Sequence, residues 1–254
     1  MIETPFKYEK IKLNSNNSIT HKLIDIILEK QTNLCLSSDV DTTKELLKLA
    51  DKVGPHICAL KTHIDTISDF TPDTITKLKE LSKKHNFLLF EDRKFADIGH
   101  IAFRQFTAAP LQISTWADLI TVHVVAGSLS IQSLKPALKN CGVIIVAQMS
   151  TQDTLTSDDY TDKAIKIAEE HKDVVIGVVS QTKKPSDSGQ LMFTPGINLN
   201  SGGDSKGQVY NSPEEAFNER GIDIMIVGRG IYESNDPEKT AEEYRKIGWS
   251  SVNK

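Results

Sequence analysis

The chain has 254 residues, of which 25% are charged, and a formal net charge of −4. That balance argues against a nucleic-acid surface, which needs a basic excess, and no run approaches the ~20 apolar residues of a membrane-crossing helix. The length is close to the ~250 residues of one (β/α)8 barrel, so a single domain with a large core is expected.

In chain order, residues 1–19 read as a polar arm, and since residues 1–10 lack the apolar centre of a secretory leader, a cytoplasmic protein is expected. A first helix is expected at 21–30, covering the bottom of the barrel. Strand-like runs follow at 32–37, 57–61, 87–90, 118–125, 143–149, 174–180, 191–195 and 224–228. Between them lie amphipathic stretches at 42–53, 72–85, 128–140, 160–171, 213–220 and 237–247, with apolar residues three and four apart. Asp41-Thr42-Thr43-Lys44-Glu45 and Ser212-Pro213-Glu214-Glu215 carry the caps and first-turn acids of helix starts. Strands alternating with helices eight times predict an α/β fold, a (β/α)8 TIM barrel forming one domain over 20–254. Cys35, Cys58 and Cys141 are odd in number and have no CxxC spacing, so they read as reduced packing residues.

The richest chemistry lies in Leu88-Leu89-Phe90-Glu91-Asp92-Arg93-Lys94-Phe95-Ala96-Asp97-Ile98-Gly99, where an apolar run gives way to five charged residues in seven positions. An unpaired ion in low dielectric costs several kcal/mol, so Asp92, Lys94 and Asp97 are expected to pair or to face a solvated pocket. On these residues alone, a solvated strand-to-helix loop with surface ion pairs fits as well. A (β/α)8 barrel builds its site at the carboxyl ends of its strands. Polar groups gather there: Ser38-Asp39 after strand one, Lys61-Thr62-His63 after strand two, His123 on strand four, Met149-Ser150 after strand five and Thr194-Pro195-Gly196 after strand seven. A Gly-rich loop at 198–210 precedes Val227-Gly228-Arg229-Gly230 at the end of strand eight. Backbone N–H groups and an arginine at that position suit a phosphorylated ligand.

Taken together, these blocks resemble orotidine 5'-monophosphate decarboxylases of the eukaryotic type, including the carboxyl-terminal domain of bifunctional UMP synthases, from about residue 20 to 250. Further matching stretches are Trp116-Ala117-Asp118, Asp159-Tyr160-Thr161 and Gly203-Asp204. The resemblance implies conversion of orotidine 5'-monophosphate to UMP and CO2 in pyrimidine biosynthesis, without metal or cofactor. It implies a homodimer in which Asp97 and Ile98 reach the partner's pocket. Lys61, Asp92, Lys94 and the partner's Asp97 would form a charged array, with Asp39 and His63 near the ribose. Ser150 and Pro195 would line the pyrimidine, and Gln208, Tyr210, Gly228 and Arg229 would hold the phosphate. Nucleic-acid and membrane partners are not expected.

Loss of CO2 from C6 of orotidylate leaves a vinylic carbanion that no ring carbonyl delocalises by simple conjugation. An electron-sink cofactor or a metal would be the usual remedy, yet the sequence has no HExxH and no CxxC pair. Electrostatic preorganisation is the alternative, with Lys94 fixed by Asp92 and Asp97 and donating the proton. Several positions depart from the family pattern. His100-Ile101 replaces Asn-Thr, Gln148 replaces an acid, Asp153-Thr154-Leu155-Thr156-Ser157-Asp158 replaces a Gly-Ser-Leu-Ala-Thr-Gly run, and Val209 replaces a glutamine. Two other readings are a Mg2+-dependent enzyme of the same superfamily acting on a sugar phosphate, and a nucleotide-binding homologue without turnover.

Overall fold

In the computed structural model, which describes residues 6–151, 153–183, 185–186, 189–199, 202–203 and 209–252, the eight strand-like runs pair as a closed parallel barrel. Its staves are β1 (Leu34–Ser38), β2 (Ala59–Thr62), β3 (Leu88–Phe95), β4 (Leu119–Val122), β5 (Gly142–Val146), β6 (Val175–Val179), β7 (Leu191–Thr194) and, after a two-residue pair β8 (Gly202–Gly203) and β9 (Val209–Tyr210), β10 (Ile224–Val227). The order around the barrel is β1-β10-β7-β6-β5-β4-β3-β2.

Strand periodicity divides the apolar residues between two cores. Cys35, Ala59, Leu88, Phe90, Leu119, Ile144, Val146, Leu191, Phe193, Ile224 and Ile226 fill the inner core. Their neighbours Leu34, Leu36, Leu60, Leu89, Ile120, Val122, Val143, Ile145, Met192, Met225 and Val227 belong to the outer core against the helices. Phe90 and Phe193 meet edge to face inside the barrel, their ring centres 6.0 Å apart.

The helices are α1 (Phe6–Asn14), α2 (Ser18–Lys30), α3 (Thr43–Val53), α4 (Pro72–His85), α5 (Gly99–Thr107), α6 (Leu129–Leu134), α7 (Asp158–Glu170), α8 (Pro213–Asn218), α9 (Arg229–Tyr232) and α10 (Pro237–Val252). Thr42 with Glu45 and Ser212 with Glu215 form reciprocal capping boxes at the starts of α3 and α8, each satisfying two N–H groups left over at a helix start. Between β6 and β7 there is no helix among the described residues, and Gly189 takes a φ of +70° in that link.

Within the stretch read from sequence as a polar arm, α1 is helical and carries a buried anchor. Tyr8 is fully buried, stacks on Trp249 with ring centres 6.3 Å apart, and donates from Oη to the Asp223 carbonyl at 2.7 Å. Lys7 supports it through an ion pair with Asp223 at 2.8 Å. Leu23, Ile24 and Ile27 of α2 join Tyr8 in the inner core, and so seal the amino-terminal end of the barrel.

Candidate active site

At the opposite end, β3 carries its charged segment past the expected stop at Phe90. Its register against β4 shifts between Glu91 and Phe95, and Lys94 adopts a left-handed φ of +51°. A non-glycine residue in that region costs of order 1 kcal/mol or more. Two hydrogen bonds hold the irregularity: the Lys94 N–H donates to Thr121 Oγ1 at 2.9 Å, and the His123 N–H donates to the Phe95 carbonyl at 2.8 Å. Such bulges re-aim side chains, and Lys94 brings its ammonium nitrogen 2.7 Å from Asp92 Oδ2.

Asp92 is the hub. Lys61, at the end of β2, reaches the same Oδ2 at 2.8 Å, while Thr121 Oγ1 donates to Oδ1 at 2.7 Å. His63 Nδ1 lies 2.8 Å from Asp39 Oδ1, and its Nε2 lies 3.2 Å from Asp92 Oδ2 and 3.3 Å from Lys94 Nζ. Donation to both carboxylates requires the imidazolium, whereas acceptance from Lys94 requires a neutral ring. Ser37 Oγ completes the cluster by donating to Asp39 Oδ2 at 2.9 Å.

The charges stabilise one another. Burial acts to raise the Asp92 carboxyl, but Lys61, the His63 hydrogen bond and Lys94 outweigh it and hold the group well below the usual carboxylate range. Lys61 is fully enclosed, which disfavours its charge, yet Asp92 and Asp39 leave it above an ordinary lysine. Asp39 is likewise drawn down to about 2 against its own desolvation, chiefly by the His63 hydrogen bond and Lys61. The His63 imidazole, pushed down by burial, is carried above its ordinary value by hydrogen bonds to Asp39 and Asp92.

These groups form one wall of a cavity of about 270 Å³ that also takes in Ser150, Pro195, Gly228 and Arg229. Of the residues singled out from sequence, Lys61, Asp92, Lys94, Asp39, Ser150, Pro195, Gly228 and Arg229 therefore meet in one cavity, and His63 bridges its carboxylates. Asp97 and Ile98 do not line it: both are exposed and border a second depression with Arg93, Lys94 and Gln105, Lys94 being common to the two. Gln208 lies outside the described residues, and Tyr210 is described only as backbone paired with Gly202. The neck of the Gly-rich loop is closed by two hydrogen bonds, from the Asn198 N–H to the Asn211 carbonyl and from the Asn211 N–H to the Gly196 carbonyl, each 2.9 Å. Gly196, with φ of +79°, makes the turn at the cavity edge that a side chain would oppose.

Thr121 escaped the sequence reading, and its signal was a lone hydroxyl in the apolar run Leu119-Ile120-Thr121-Val122. Two of the atypical positions, Gln148 and Asp153, also acquire a physical account. Gln148 Oε1 accepts from Ser180 Oγ at 2.7 Å, the Gln181 N–H at 2.8 Å and the Thr182 N–H at 3.0 Å. Gln181 Nε2 then donates to the Pro195 carbonyl at 3.2 Å. Two side-chain amides thus tie the rims of β5, β6 and β7 together. Asp153 takes φ of +55° where the family pattern has glycine, a conformation that aspartate tolerates better than most side chains. Among the described residues, no group of three or more His, Cys, Asp or Glu is placed to hold a metal ion, and no helix is long and apolar enough to cross a membrane.

Comparison with known proteins agrees with the barrel. The chain is 45% identical to the uridine 5'-monophosphate synthase of Naegleria gruberi over 94% of its own length, and spans 50% of that longer protein. It is 44% identical to the orotidine 5'-phosphate decarboxylase of Aureobasidium pullulans, covering 96% of this chain and 91% of that one. The crystal structure of orotidine 5'-monophosphate decarboxylase from Methanocaldococcus jannaschii complexed with the inhibitor BMP superposes with a TM-score of 0.67 at 25% identity, covering 84% of this chain and 97% of that one. A match to the family's sequence pattern extends over residues 32–244, and the chain belongs to the orotidine 5'-phosphate decarboxylase / HUMPS family.

Proposed function

We propose that the protein decarboxylates orotidine 5'-monophosphate to UMP, and the observation that carries this reading is the buried Asp92 hub with Lys61 and Lys94 on one oxygen at 2.8 and 2.7 Å. In the reaction the bond from C6 to the carboxylate breaks, CO2 departs, and the electron pair stays on C6. The Lys94 ammonium, already charged and aimed by Asp92, stabilises that pair and then gives its proton to C6. Water returns a proton to the amine.

Asp92 lies where the substrate carboxylate would approach. Two like charges about 4 Å apart interact by ~4 kcal/mol at an effective dielectric of 20, close to three powers of ten in rate if relieved at the transition state. The Arg229 end of the cavity would take the phosphate together with Gln208 and Tyr210, leaving Ser150 and Pro195 for the pyrimidine and Asp39 for the ribose. Binding energy from the phosphate would then contribute to lowering the barrier, so a dephosphorylated substrate loses rate as well as affinity.

A homodimer forms part of this proposal. Asp97 and Ile98 would reach into the partner's cavity, since in one chain they do not line their own. In support, Ile98, Val125 and Leu129 are 68%, 69% and 68% exposed along the α5 and α6 side, an apolar surface of the sort that subunit contacts cover. Three free, buried cysteines accord with a reducing, cytoplasmic setting.

The test is the loss of ultraviolet absorbance as purified protein acts on orotidine 5'-monophosphate in EDTA, with Lys94→Ala as control. Conversion to UMP that vanishes in the variant is expected. Turnover unchanged by Lys94→Ala removes the mechanism, chelator-sensitive turnover points to a metal enzyme, and UMP binding without turnover points to a binding protein.

A further inference from the structure

Glu91 precedes the hub residue Asp92 and points to the other face of β3. It is fully buried. A carboxyl in that position is an expensive choice where leucine would pack, because desolvation is repaid only by well-placed donors. Donors are present and specific. Thr62 Oγ1 donates to Glu91 Oε2 at 2.7 Å, and the Ile64 N–H lies 3.2 Å from both carboxyl oxygens.

Thr62 and Ile64 are the two chain neighbours of His63. Thr62 closes β2, paired in register with Glu91, and Ile64 opens the short 3-10 turn Ile64–Thr66. One carboxyl therefore grips the backbone on one side of the imidazole and a side chain on the other. The ring it frames spans Asp39 and Asp92. Around Glu91 the charged groups are His63 and Asp65 on that turn, with Arg93 of its own strand 3.7 Å from Asp65. On the β4 side it pairs with apolar Ile120.

We infer that Glu91 is a positioning residue for the reaction, clamping Thr62 and Ile64 so that the His63 imidazole is held between Asp39 and Asp92. The inference rests on the decarboxylase reading for its catalytic consequence, while the clamp itself is a property of the unliganded protein. Burial pushes the Glu91 carboxyl up to about 7 in spite of the Thr62 and Ile64 bonds, as expected of a group retained for geometry rather than for stability. Glutamine in its place keeps one accepting oxygen. Alanine keeps none.

The experiment follows the His63 ring by 1H–15N NMR across pH in unliganded wild type, Glu91→Gln, Glu91→Ala and Thr62→Val, alongside kcat and KM for orotidine 5'-monophosphate. Expected is a downward shift of the His63 titration in every variant, with kcat/KM falling about tenfold in Glu91→Gln and Thr62→Val and further in Glu91→Ala, one tenfold step being the loss of a single net hydrogen bond. The fall should appear mainly in KM, because His63 is placed at the ribose rather than at C6. A His63 titration identical in wild type and Glu91→Gln, with only the melting temperature lowered, overturns the inference and leaves Glu91 a plain structural residue. Should Glu91→Ala not fold, the glutamine and Thr62→Val variants still decide. If wild type fails to convert the substrate, the proposed function falls, and the NMR comparison still judges the clamp.

Discussion

Lys61 and Lys94 share a single oxygen, their ammonium nitrogens lying 2.8 and 2.7 Å from Asp92 Oδ2. Among the described residues neither lysine has so close a carboxylate other than Asp92, and Lys61 is only 5% exposed. Replacing Asp92 by asparagine leaves two cations and an imidazole crowded around a neutral amide. We expect Asp92→Asn to cost about 3 kcal/mol of stability and to lower kcat by roughly 10³-fold or more as Lys94 loses its aim. Chemical denaturation and the absorbance assay measure the two effects; near-normal turnover would contradict the role given to the hub.

Thr121 acts at two points, donating to Asp92 Oδ1 and accepting from the Lys94 N–H. Thr121→Val keeps the shape and removes both bonds. The expected cost is about 1–3 kcal/mol of stability, with kcat reduced roughly tenfold to a hundredfold if about that energy is lost from the transition state. Affinity for UMP, measured by calorimetry, should change little. A variant with weakened UMP binding and unaltered kcat would move Thr121 out of the chemistry.

Acid should unpick the Asp39–His63 pair. Asp39 is held at about 2 against an ordinary 3.8, so its contribution to stability is present above 3.8 and disappears as pH falls through about 2. His63 runs the other way. With its value raised above 6.5, its contribution is complete below 6.5 and fades as pH rises through the raised value. Thermal midpoints of wild type minus Asp39→Asn should shrink between pH 4 and 2, and those of wild type minus His63→Asn should shrink on the alkaline side.

Glu91 predicts the opposite slope to a paired carboxylate. Its pKa of about 7 in the folded protein exceeds the ordinary 4.5, so the folded state holds this proton more tightly than the unfolded chain. Stability from this group falls as pH rises from 4.5 to 7, by up to roughly 3 kcal/mol. Glu91→Gln should flatten that part of the curve, and urea midpoints at pH 5 and pH 8 provide the comparison.

Tyr8 tests the amino-terminal seal. Tyr8→Ala removes a fully buried ring, its stacking on Trp249 and its hydrogen bond to the Asp223 carbonyl. A loss of about 3–5 kcal/mol is expected, with kcat of the folded protein unchanged because the site lies at the other end of the barrel.

The barrel was legible because period-two burial leaves a plain trace: every stave was an apolar run, and its neighbours carried caps and early-turn acids. Most of the cavity was legible too, since Asp92, Lys94, Lys61 and Arg229 stand at strand ends where an apolar pattern breaks into charge. Thr121 was not, because a single hydroxyl in a strand has the same local look whether it meets a neighbouring carbonyl or a carboxylate across the barrel. Glu91 hid in plain view among five charged residues, as spacing does not reveal which of them is buried on the outer face of its strand to grip a neighbouring one. Tyr8 was missed for a different reason. Its helix intersperses lysines and a glutamate with its apolar residues, and one buried ring does not make a periodic stripe.

A barrel with one end stoppered is a cul-de-sac. Tyr8 and α2 cover the floor, and Phe90 against Phe193 occupies the shaft above them, so the described residues pack the barrel below the charged hub. Whatever enters past the rim must leave by the same door. For the proposed reaction this makes traffic sequential at a single threshold: carbon dioxide is released beneath a nucleotide that still blocks the way, and the rim that admits substrate also sets when both products depart.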